Sequence, residues 1–75
     1  MTLDEFVSAF AAEFDETSED QFKADTEFKA LDEWSSLTAL SIIAMVDEQM
    51  DKTITGADIR ASKTIEDLFN LANSK

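Results

Sequence analysis

Trp34-Ser35-Ser36-Leu37, with the apolar run that follows it to Met50, decides how this chain folds. Ala39, Ile42, Ile43, Val46 and Met50 recur at steps of three and four, which places them on one face of a helix. Serine is favoured just before such a run, because its side-chain oxygen accepts a backbone N–H that the first helical turn leaves unpaired. The pattern predicts that Ser35 caps a helix from Ser36 to Met50, about 22 Å long. Ser36 then lies in the first turn with its hydroxyl near solvent, beside ten uncharged residues, Leu37 to Val46. An exposed hydroxyl in that setting is a place to attach a group.

Working outward, Thr2-Leu3-Asp4-Glu5 reads as a capping box, with Thr2 at the cap and Glu5 reaching back to it. Leu3, Phe6, Val7, Phe10 and Phe14 continue at helical spacing, so a first helix is expected over residues 3–14. Residues 15–33 form a long polar connection, a length that needs pinning in a small domain. Phe22, Phe28 and Leu31 are the expected pins, and Trp34 is expected to pack where the connection meets the second helix. Beyond Met50, a turn at 51–53 and the anchor Ile54 lead to Thr55, which caps a short helix from Gly56 to about Arg60. Thr64, with Asp67 three residues on, caps a last helix carrying Ile65, Leu68, Phe69 and Ala72. The expected fold is an all-α four-helix bundle, three main helices and one short, in a single domain over 1–75.

On the second helix, the face opposite the core is expected to carry Leu37, Ser41, Ala44, Met45 and Glu48. Leu37 and Met45 are more apolar than an exposed face requires. Either the 15–33 connection covers them, or they mark a surface for a partner.

Composition narrows the chemistry. The chain has no His and no Cys, which removes the commonest general base, the commonest metal ligand, thiolate sites and disulfides. A calcium loop starting at Asp51 would have Gly56 in the right place, but Thr53, Thr55 and Ser62 stand where ligands belong. No serine has a base at hand, and no glycine-rich phosphate loop exists, so no catalytic and no metal residue is assigned. The net charge of −11 disfavours nucleic acid and anionic membranes and favours partners with basic patches. With 44% hydrophobic residues, six Phe and one Trp, the chain is expected to fold as a cytoplasmic monomer with no membrane association.

Thr26-Glu27-Phe28 through Leu31, then Trp34-Ser35-Ser36-Leu37 and the helix to Met50, resemble the acyl carrier proteins. Those are small acidic helical bundles in which an Asp-Ser-Leu motif opens the second helix. The likeness runs through essentially the whole chain, including the Ile54 turn, the short third helix and the Thr64-Ile65 start of the fourth. It implies that Ser36 receives 4′-phosphopantetheine from coenzyme A and holds biosynthetic intermediates as thioesters, in fatty acid, polyketide or aminoacyl pathways. It also implies partners: a phosphopantetheinyl transferase, an acyl- or aminoacyl-activating enzyme, and a ketosynthase or other acyltransferase. Leu37, Ser41, Ala44, Met45, Asp47 and Glu48 would meet those partners. Leu40, Ile43, Val46, Ile59, Ile65 and Leu68 would line a shelter for the acyl chain. The carrier itself would be non-catalytic.

Two positions depart from the family. Ser35 stands where the family has Asp, which keeps the cap and loses an acidic contact for the transferase. Ser41 stands where a Glu is common, leaving the middle of the partner face uncharged. An alternative reading remains beside the carrier: an unmodified acidic helical adaptor for a basic or apolar groove on another protein.

Overall fold

In the computed structural model, which describes residues 1–75, the chain forms four α-helices and no strand. They are α1 (Leu3–Ala11), α2 (Ser36–Met50), α3 (Gly56–Ala61) and α4 (Ile65–Asn73), with 3₁₀ turns at Glu19–Gln21 and Phe28–Ala30. α1 packs against α2 and α4, and α3 packs against α4, as in a small helical bundle. No helix is long and apolar enough to cross a membrane.

Local sequence starts each helix. Full capping boxes form at Thr2/Glu5, Thr55/Asp58 and Thr64/Asp67, each satisfying two N–H groups that the first turn leaves free. α2 ends at Asp51, the only residue with a left-handed backbone (φ 55°), whose N–H still reaches the Asp47 carbonyl.

α1 is shorter than its periodicity predicts. Past Ala11 the backbone tightens: Glu13 N–H bonds the Phe10 carbonyl and Phe14 N–H the Ala11 carbonyl, both three residues back. The carboxylate of Glu33 then accepts the N–H groups of Asp15, Glu16 and Thr17, at 2.9, 3.0 and 2.8 Å, and the Thr17 hydroxyl at 2.7 Å. The end of the long connection thereby holds its beginning. Phe14 remains buried despite lying outside the helix.

Phe22 and Phe28 are buried and Leu31 is half-buried, as expected of pins. Polar bonds add to them. The first N–H groups of α4, on Ile65 and Glu66, donate to the carbonyls of Thr26 and Ala24 at 3.2 and 2.9 Å. The Thr26 hydroxyl accepts from Lys23 N–H and donates to the Gln21 carbonyl.

The core is largely aromatic. Centroid distances of 5.2, 6.2, 5.3 and 5.0 Å link Phe69 to Phe6, Phe6 to Phe10, Phe10 to Phe28 and Phe28 to Trp34. Phe14 and Phe22 lean on the same rings. Such contacts add stability beyond area burial. They also carry the rigidity of the core out to Trp34, the residue before the Ser35 cap.

Candidate functional site

Trp34 anchors the start of α2, edge-on to Phe28 and stacked at 6.4 Å on Phe14. The next residue closes the helix end. Ser35 Oγ accepts the Thr38 N–H at 3.3 Å and lies 3.2 Å from the Thr38 hydroxyl. That hydroxyl donates its one proton to the Glu33 carbonyl, so in the contact between the two hydroxyls Ser35 is the donor. Ser35 is thus occupied on both sides. Ser36 follows at the first helical position, exposed, and its hydroxyl makes no hydrogen bond within the chain.

Ser36 opens a cleft of ≈ 550 Å³ between α2 and α3. One wall is the stripe Ser36, Ala39, Leu40 and Ile43, spaced as neighbours along one helical face. The facing wall is Gly56, Ile59 and Arg60 of α3, and Lys29, Trp34 and Ser35 complete the lining. A depression of ≈ 660 Å³ beside α1, bounded by Asp4, Glu5, Ser8 and Gln49, is wider and more polar and holds no comparable nucleophile next to an apolar floor.

Of the residues expected to shelter an acyl chain, Leu40, Ile43 and Ile59 line the cleft. Val46, Ile65 and Leu68 do not; each is fully buried in the core. Leu40 stands at the mouth and is 63% exposed. Sequence reasoning missed Lys29 and Arg60 as lining residues. Arg60 was within reach of that reasoning, since it follows the inward-facing Ile59 on a short helix.

The expected partner face needs one correction. Leu37 is 74% exposed, Ala44, Asp47 and Glu48 are exposed, and Ser41 is half-buried with its hydroxyl on the Leu37 carbonyl. Met45 is buried, with 4% of its surface accessible. It lies three residues after Ile42, on the same side of the helix. The buried arc centres on Ile42, Met45 and Val46, which leaves Ile43 half-buried at the edge of the cleft. The large apolar side chains exposed on α2 are therefore Leu37 and Leu40.

Four carboxyl groups are held below their ordinary range, each by hydrogen bonds. For Glu33 the Thr17 hydroxyl is the main cause, for Asp58 the Lys75 ammonium, and for Glu5 and Asp67 the backbone N–H of Thr2 and Thr64. All four support helix ends or the connection rather than the cleft. Compared with family models, curated proteins and solved structures, the chain has no match.

Proposed function

We propose that the chain is a carrier protein with an acyl-carrier-like bundle, which tethers acyl or aminoacyl intermediates through 4′-phosphopantetheine on Ser36. The observation that carries this reading is the exposed, unpartnered Ser36 hydroxyl at the mouth of an apolar cleft, on a helix start fixed by Trp34 and Ser35. The surroundings fit such an arm: the hydroxyl is accessible from solvent, and the stripe behind it offers apolar wall rather than charge.

In the attachment step, Ser36 Oγ forms a bond to the phosphorus of coenzyme A that bears the pantetheine. The phosphoanhydride bond breaks, adenosine 3′,5′-bisphosphate leaves with the electron pair, and the serine proton passes to a base of the transferase or to water. When bound, the arm supplies a terminal thiol that holds cargo as a thioester. The chain's own residues position and protect. Ser35 and Trp34 fix the direction of the first turn, and Leu37 and Leu40 offer partner enzymes an apolar contact of the kind that marks binding surfaces. Asp47 and Glu48 add charge further along the same helix, which favours basic partner surfaces and speeds encounter.

The exposed Leu37 and Leu40 also suit an unmodified adaptor. Incubation with coenzyme A and a broad-specificity phosphopantetheinyl transferase separates the two readings. A gain in intact mass on Ser36 supports the carrier; an unchanged mass, under conditions that modify a known carrier, favours the adaptor.

A further inference from the structure

Two of the six bases in this acidic chain, Lys29 and Arg60, line the cleft that Ser36 opens. None of its seventeen carboxylates does. Every other depression on the surface has at least one, from Asp4 and Glu5 beside α1 to Glu16, Asp32 and Glu33 by the connection and Glu19 below it. Neither base is paired, since the one ion pair in the molecule joins Lys75 to Asp58 at 2.9 Å.

One of the two cations is also held in place. The Lys29 ammonium donates to the Arg60 carbonyl at 2.9 Å, which uses one of its three protons and stations it at the end of α3. The Arg60 side chain folds back along α3 over Gly56, where an added Cβ would lie 3.4 Å from Nη1. The same cleft has an apolar floor of Ile43 and Ile59, with Leu40 at its mouth. From Ser36 to Ile43 the wall on α2 runs about 10 Å.

We propose that the cleft receives a tethered acyl group ending in a carboxylate, its methylenes on the apolar floor and its carboxylate on Lys29 and Arg60. This rests on the attachment at Ser36 proposed above. A hydrocarbon acyl group covers the same floor but leaves both cations unpaired, and an aminoacyl group brings a like charge to them. A carboxylate gains charge-assisted hydrogen bonds, and the guanidinium can meet it with two parallel ones. The phosphodiester joining the arm to Ser36 offers similar anion chemistry, so the test must separate the two sources.

A transferase that accepts acylated coenzyme A loads the chain with an arm carrying either hexanoyl or adipoyl, groups of equal length that differ in the terminal carboxylate. Intact mass verifies loading, and thermal melting is then compared for the two cargoes on the same protein. The adipoyl form is expected to melt about 2–5 °C higher at low salt, the size of one partly exposed ion pair in a domain this small. The gap should close at high salt and in the Lys29→Gln/Arg60→Gln double variant. Comparing two cargoes on one variant cancels any change in its basal stability. Equal melting of the two forms, or a gap that survives in the double variant, overturns the proposal. So does a result in which the double substitution weakens the unacylated arm-bearing form relative to the unmodified chain while the two cargoes melt alike; the cations then serve the phosphodiester. No mass gain at all removes the attachment itself, a failure visible before any melting is measured.

Discussion

Ser35 Oγ accepts the backbone N–H of Thr38 at 3.3 Å, whereas the adjacent Ser36 hydroxyl has no partner in the chain. Two neighbouring serines therefore differ in kind: one holds the helix and the other is free. Ser35→Ala should lower stability by about 0.5–2 kcal/mol, the usual cost of losing an N-cap. Ser36→Ala should stay within about 0.5 kcal/mol of wild type, as for an exposed surface change. Urea denaturation of both variants checks the contrast, and an equal loss for the two would contradict it.

Glu33 gives the clearest pH dependence. Its folded-state pKa is lowered from an ordinary 4.5, chiefly by the Thr17 hydroxyl and then by the N–H groups of Asp15, Glu16 and Thr17. A depressed pKa means that the contribution is fully present above the unfolded value and is lost as pH falls through the folded one. Wild type should therefore melt above Glu33→Gln at neutral pH, with the gap shrinking as the pH drops below that ordinary value. The other depressed carboxyl groups titrate in both proteins and cancel. A gap that is constant down to strongly acid pH would show that the carboxylate charge is irrelevant to the connection.

Core positions should separate by burial. Phe10 is fully buried and touches Phe6, Phe14, Phe22 and Phe28, so Phe10→Ala should cost about 3–5 kcal/mol. Ile43 is half-buried on the wall of the cleft, and Ile43→Ala should cost only about 1–2 kcal/mol. Chemical denaturation measures both, and the reverse order would mean that Ile43 belongs to the core.

One ion pair offsets little of a net charge of −11. Screening should relieve the repulsion between carboxylates, so the melting temperature should rise with sodium chloride and at lower concentration with Mg²⁺. A flat response to both salts would count against that account of the surface.

The parts of this structure that were legible in the sequence are local ones. Thr2 and Glu5, Thr55 and Asp58, and Thr64 and Asp67 each act over three residues, and the helix starts follow from them. α2 came out with the expected limits because its cap and its periodicity agree. The bonds that hold the connection are not local. Glu33 reaches Thr17 across sixteen residues, and α4 donates its first N–H groups to Thr26 and Ala24, pairings that no spacing rule marks. Met45 shows a different limit: periodicity gives the direction of a buried arc but not its width, which depends on how many elements pack around the helix. Lys29 and Arg60, thirty-one residues apart, share a cleft only after folding.

The central claim, that Ser36 and not Ser35 carries the arm, is tested most directly by intact mass after coexpression with a promiscuous phosphopantetheinyl transferase. Wild type and Ser35→Ala should both gain the mass of one phosphopantetheine, and Ser36→Ala should gain none. A gain that persists in Ser36→Ala, or no gain in the wild type under conditions that modify a known carrier, would contradict it.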